Sequence, residues 1–287
     1  MKFRQKYLAI CIAALLAGAT PAFAAPSAPS LGNAADFAVL SAAPGGLGAV
    51  TCTDTNITGT VGSSGPQASV TQTNCTISGG VIAPVSAGAL TAFNGAYDAL
   101  AGQSCDTFLT GTLAGVTLTP GVYCFAAAAT LTGTLTLSGG ANDTWLFKVG
   151  TSGTGALTGT NFSVVMANGA SACNVTWWVA EAATMTTSNF QGTILAGAAI
   201  TATGVAPTSP FEGRALAKAG VTLTNVAFLG CTGGSIGGTA KPKCNQGVGN
   251  GFEGCDPGNS NQGNPFRSND ERGGVPGAPG RMGGNKL

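Results

Sequence analysis

The sequence contains no histidine, and that absence removes His-dependent triads, Cys–His dyads and the commonest zinc ligand together. Charge is the second scarcity, with charged residues making up only 8% of the chain. Between Leu31 and Cys231 the only ones are Lys148, Arg214 and Lys218 against Asp36, Asp54, Asp98, Asp106, Asp143, Glu181 and Glu212. A chain without clustered lysine or arginine lacks the means to hold nucleic acid or an anionic membrane. No apolar run is long enough to span a bilayer. No cysteines stand at C-x-x-C spacing, and no glycine-rich stretch reads G-x-x-x-x-G-K-[ST], so thiol-redox and phosphate-loop motifs are missing too.

What is present begins with an export signal. Lys2, Arg4 and Lys6 precede an apolar run from Tyr7 to Ala17, and Ala22 and Ala24 frame a cleavage point after Ala24. Cys11 does not read as a lipidation site, because bulky Ile10 precedes it. Residues 1–24 are therefore read as a signal peptide, which makes the remainder a secreted, soluble protein. Its removal takes three of the twelve basic residues and none of the eleven acidic ones, leaving a net charge of −2. Eight cysteines remain, an even number that reads as disulfides in an exported chain. Proximity suggests Cys52–Cys75, Cys105–Cys124, Cys173–Cys231 and Cys244–Cys255, although the count alone allows many other pairings.

Composition divides the mature chain. A short linker (25–30) precedes the charge-poor stretch 31–231, and residues 232–287 are rich in glycine, asparagine and proline with ten further charges. Such a tail lacks the apolar residues for a core and is read as flexible apart from a Cys244–Cys255 loop. Asp256, Asn259 and Asn261 do not match a calcium loop, so no metal or other cofactor is expected.

Within 31–231 the dominant pattern is alternation. Thr130-Leu-Thr-Gly-Thr-Leu-Thr-Leu137 puts threonines on one face of a strand and leucines on the other. Threonine suits that position, since its β-branch stiffens χ1 and fits a pleated surface. A longer repeat overlies the alternation. Phe190-Gln-Gly-Thr-Ile-Leu-Ala196 and Phe211-Glu-Gly-Arg-Ala-Leu-Ala217 share F-x-G-x-x-L-A at an offset of 21 residues, and Thr201/Thr203 stand at the same offset from Thr222/Thr224. Short strands recurring about every 20 residues predict a mostly β solenoid, with a sandwich or barrel as the alternative. One segment departs from this: Leu90, Phe93, Tyr97 and Leu100 share a helical stripe, and Ser86 and Gly102 bound a helix over 86–101 that packs on the solenoid flank.

Little suggests chemistry. Glu181 and Glu212 are the candidates for a polysaccharide-cleaving pair, but both read better as solvated turn residues. Lys148 alternates with inward apolar residues in Trp145-Leu-Phe-Lys-Val149 and is expected to point outward. Arg214 takes the place of Thr193 in the repeat and reads as a structural hydrogen-bonding arginine. Trp177 reads as core, while Trp145 and Trp178 are open to a sugar-platform reading.

The segments Leu31-Gly-Asn-Ala-Ala-Asp-Phe-Ala-Val-Leu40, Thr119-Pro-Gly-Val-Tyr123, Leu131-Thr-Gly-Thr-Leu-Thr-Leu137, Ala172-Cys-Asn-Val175 with Trp177, Gly192-Thr-Ile-Leu-Ala196, Gly213-Arg-Ala-Leu-Ala217 and Val221-Thr-Leu223 occur in an order that resembles the secreted microbial ice-binding-like family. The resemblance covers 31 to about 230. It implies a right-handed β-helix of roughly triangular section with one long α-helix packed alongside, no enzymatic activity, and one flat polar face that meets ice.

The expected partner is thus an ice crystal surface with its ordered water, bound by a monomer. A non-catalytic surface scaffold or adhesin is the alternative. Thr201, Thr203, Thr222 and Thr224 are expected to form a two-by-two patch, which Thr184 and Thr186 extend if one corner is shorter. Thr158, Thr160 and Asn161 match the T-A/G-x-T/N motif that some members of the family carry, and which face they occupy is left open.

Overall fold

A computed structural model describes residues 29–206 and 208–231. The signal peptide, the tail, the Cys244–Cys255 pair and Asp256, Asn259 and Asn261 lie outside the described residues. Sheets of nine, eight and five strands surround one apolar interior. All their pairings are parallel, and successive coils lie directly above one another. This is the expected β-solenoid rather than a sandwich or barrel.

Alternation is what closes the coils. In strand Ala129–Ser138, Leu131, Leu135 and Leu137 are fully buried while the threonines between them face out. At Gly133, φ +70, the ladder shifts register and the strand bends from one face of the solenoid to the next. The 21-residue repeat is one coil: Phe190 pairs with Phe211, Leu195 with Leu216 and Thr201 with Thr222. Inside, Phe147 stacks on Trp177 at 4.0 Å and Phe211 on Phe228 at 4.6 Å.

The coils do not stack in chain order. The chain first makes two coils, with strands Phe37–Ser41, Val50–Thr53 and Asn56–Thr58 in the first and Thr60–Ser63, Val70–Thr73 and Thr76–Ile77 in the second. Helix α1 (Ala87–Ala101) then carries it along the flank, about 22 Å at 1.5 Å per residue. From Thr107 the chain winds back until Ala215–Ala217 pairs with Phe37–Ser41 and Val221–Thr224 with Val50–Thr53. The opening coils therefore cap the closing ones.

The Ser86 hydroxyl caps α1 by accepting from the Ala89 N–H at 3.2 Å. Phe93, Tyr97 and Leu100 are buried against the outer side of the nine-stranded sheet, and Leu90 is half-buried. Tyr97 donates to the Val179 carbonyl at 3.0 Å and lies 5.3 Å from the Trp178 ring. Disulfides join Cys52–Cys75, Cys105–Cys124 and Cys173–Cys231.

The outward direction expected of Lys148 holds, but outward is not exposed here. It points away from the solenoid interior, as its place in the alternation requires, but α1 covers that side and leaves it 3% exposed. Its ammonium donates to the carbonyl of Ala101, left free at the end of the helix, and to that of Gln103 just beyond it. Alternation distinguishes inward from outward; it cannot tell whether a helix covers the outward side. Arg214 is 1% exposed, and its Nε donates to the Ala35 carbonyl at 3.3 Å. Trp145, Trp177 and Trp178 are all buried, which leaves none of them as a sugar platform.

Candidate functional site

The eight-stranded sheet is open to solvent, and the outward side chains on the near side of its bend at Gly133 form two ranks of threonine. Along the stack, Thr71, Thr51, Thr222, Thr201, Thr184, Thr158 and Thr130 are paired neighbours. Beside them run Thr73, Thr53, Thr224, Thr203, Thr186 and Thr160. In the inner coils a residue between the two threonines anchors the strand; Cys52, Leu223, Ala202 and Met185 are almost wholly buried there. Parallel strands are spaced about 4.8 Å apart, and threonines two apart on a strand about 6.6–7 Å. The outcome is a two-dimensional grid of methyls and hydroxyls on a stiff support.

The structure brings together Thr201, Thr203, Thr222 and Thr224 and adds Thr184 and Thr186 one coil further on, where the chain takes 17 residues rather than 21 to close the coil. Thr158 and Thr160, whose face the sequence left open, stand in the same two ranks. Asn161 does not. It sits at a left-handed bend within the strand Leu157–Ala167, at φ 47, and its side-chain oxygen accepts from the Thr187 hydroxyl at 2.6 Å. Asp54, Asn74, Thr187 and Asn225 occupy the same left-handed turn in other coils.

Sequence reasoning missed Thr51, Thr53, Thr71 and Thr73, and it left Thr130 out of the site. The signal was available as T-x-T followed by a residue that tolerates positive φ: Thr51-Cys-Thr-Asp54, Thr71-Gln-Thr-Asn74 and Thr222-Leu-Thr-Asn225. A four-residue motif with its last position on the face obscured it, because that last position is the corner.

The other outer surfaces lack this regularity. On the five-stranded sheet Gln191, Glu212, Leu229 and Thr58 are in register, as are Pro210, Ala227, Asn56 and Thr76. Charge is kept off the two threonine ranks, with Lys218 paired to Asp98 of α1 at 3.5 Å on the helix side. Glu181 is exposed in the turn after Val179 and Glu212 lies on the five-stranded sheet, so the two carboxylates share no face. Among the described residues no three histidine, cysteine or acidic side chains gather as a metal site.

The family model described as ice-binding-like matches residues 36–228. The chain belongs to the ice-binding-like family. This is a family of non-catalytic proteins. The chain is similar to ice-binding protein K3-B1 of Typhula ishikariensis, 33% identical over 204 residues that cover 62% of this chain and 81% of that protein. It is also similar to an ice-binding protein of Nostoc sp. (strain HG1), 44% identical over 112 residues. That match covers 38% of this chain and 40% of the Nostoc protein, and one to a Flavobacterium frigoris ice-binding protein covers 37% of that relative. Among solved structures, an ice-binding protein of an Antarctic Flavobacteriaceae bacterium superposes with a TM-score of 0.61 at 33% identity, covering 77% of this chain and 51% of that one. An ice-binding protein domain from Shewanella frigidimarina gives 0.61 at 27% identity over 73% of this chain and all of that one. In this ice-binding-like chain the open threonine sheet is therefore the face to weigh first.

Proposed function

We propose that the protein adsorbs to ice through the two threonine ranks of the eight-stranded sheet and so inhibits ice growth and recrystallisation. The observation that carries this reading is the unbroken register of paired threonines across six neighbouring strands, Val70–Thr73, Val50–Thr53, Val221–Thr224, Ile200–Thr203, Ala183–Thr186 and Leu157–Ala167. Each hydroxyl hydrogen-bonds water while each methyl restricts the orientations open to its neighbours, so a regular grid templates an ice-like layer. Strands held by ladders and a packed core lose little entropy on adsorption. Family membership and relatives named for binding ice support the same reading.

The protein is proposed to act outside the cytoplasm as a monomer, with 31–231 as the working unit and 232–287 as a tail. The basic start and apolar run of residues 2–17 support export, and so do three disulfides, which persist in oxidising compartments.

Thermal hysteresis and recrystallisation inhibition on the purified protein test the function. Both should be present at micromolar concentration, and absence of both leaves only a scaffold. Thr201→Tyr or Thr222→Tyr places a ring on the flat grid and should abolish most activity while stability changes by about 0.5 kcal/mol. Full activity in both variants moves the site to another face.

A further inference from the structure

The disulfide Cys52–Cys75 runs from beneath the threonine grid to the corner at its edge. Cys52 is the inward residue between Thr51 and Thr53, and Cys75 follows Thr73 and the left-handed turn residue Asn74. The strand Val70–Thr73 is terminal in its sheet, pairing with Val50–Thr53 on one side only. Its coil is thinly packed. The inward residue opposite Cys52 is Gln72, which is exposed, and Ile77 and Val81 are only half-buried. In the coil 200–217 the corresponding Ile200, Ala202, Phe211 and Ala215 are no more than 2% exposed. Non-covalent ties to the terminal coil include a hydrogen bond from the Asn74 amide to Asp54 at 2.7 Å, on the exposed surface. Edge strands with little apolar burial open first, and a bond closing 23 residues spans about one coil.

We propose that Cys52 and Cys75 are positioning residues of the ice-binding face: their disulfide holds the terminal rung, Thr71 and Thr73, in the plane of the grid. This rests on the function proposed above. Bonded, the chain presents the full ranks; unbonded, it presents them one rung shorter.

The test uses the full chain and its Cys52→Ala/Cys75→Ala variant, each with and without Thr71→Tyr. It reads thermal hysteresis, melting temperature and amide exchange. Removing the disulfide should cause a partial loss of hysteresis and faster exchange at residues 70–73, with 200–203 unchanged. Thr71→Tyr should lower hysteresis in the bonded chain and add no further loss in the unbonded one. The reference is Cys105→Ala/Cys124→Ala. That bond ties the segment after α1 to the outer side of the nine-stranded sheet, away from the grid, and its loss should lower the melting temperature while sparing hysteresis. Additive losses from Thr71→Tyr and the Cys52/Cys75 replacement overturn the proposal, as do unchanged hysteresis and exchange without the disulfide. Thr222→Tyr should lower hysteresis in both backgrounds; if it is silent in both, the face reading fails and takes the rung proposal with it.

Discussion

The open threonine sheet and the helix-covered sheet share one interior, yet their outward rows obey opposite rules. On the covered side Leu40, Leu216, Leu195, Trp178, Lys148 and Cys124 are in register from coil to coil, and all are nearly buried. On the open side the matching rows are threonine and remain half-buried or exposed. One surface is removed from water, where side chains need only fill space and satisfy their hydrogen bonds. The other stays in water, and what it keeps constant from coil to coil is residue type and spacing. A repeating coil supplies both, since it places chemically equivalent positions on every side and lets each side be written separately.

Writing threonine onto the covered side is the largest way to break that comparison. Leu195 is fully buried between Trp178 and Leu216 beneath α1. Leu195→Thr removes apolar volume from a packed site and buries a hydroxyl, with an expected cost of about 2–5 kcal/mol. Denaturant unfolding measures the loss. Hysteresis per folded molecule should be unchanged, because α1 and the threonine ranks lie on different sheets. A stable variant would mean that the helix is loosely docked.

High pH should separate the two sides in a different way. The Tyr97 hydroxyl is pushed from its ordinary value of 10.0 up to about 12, first by burial under Lys218 and against Trp178, then by the nearby Asp98 carboxylate. An unfolded chain loses this proton near pH 10, so between that value and about 12 the folded form holds a proton that the unfolded form lacks. Stability is therefore full below pH 10 and falls as pH rises, by about 1–3 kcal/mol. Tyr123, raised by burial in spite of its hydrogen bond to Thr119, acts in the same sense. Lys148 acts oppositely: burial lowers its pKa, so its contribution rises with pH and is complete above the ordinary lysine value. Thermal melts at pH 9 and 11.5 should show the decline, and Tyr97→Phe should remove most of it. The threonine ranks carry nothing that titrates, so hysteresis should hold until the chain unfolds.

Much of this architecture is legible in the residues themselves. Strict alternation in 130–137, the 21-residue offset of the two F-x-G-x-x-L-A segments and the Phe93/Tyr97/Leu100 stripe each follow from a local period, and each reappears in the structure. Lys148 shows where locality ends, because its burial is decided by a helix some 45 residues earlier in the chain. Thr51 and Thr71 show the same limit for the site. They join Thr222 only because the opening coils stack on the closing ones, and no local repeat encodes that pairing.

Thr193 provides the finest comparison, since it is a threonine on the wrong side. It occupies the covered face, pairs with Thr176, is fully buried, and its hydroxyl meets no hydrogen-bond partner among the described residues. A buried hydroxyl without a partner costs about 1–3 kcal/mol, whereas a methyl of the same shape costs nothing to desolvate. Thr193→Val should therefore stabilise the protein by about 1 kcal/mol and raise its melting temperature by about 2–4 °C. The identical replacement at Thr201 leaves stability within about 0.5 kcal/mol, because water already satisfies that hydroxyl, but removes one point of the grid and should lower hysteresis. If Thr193→Val destabilises instead, its hydroxyl holds a buried water on the outer side of the nine-stranded sheet, and the covered face is not the dry counterpart of the open one.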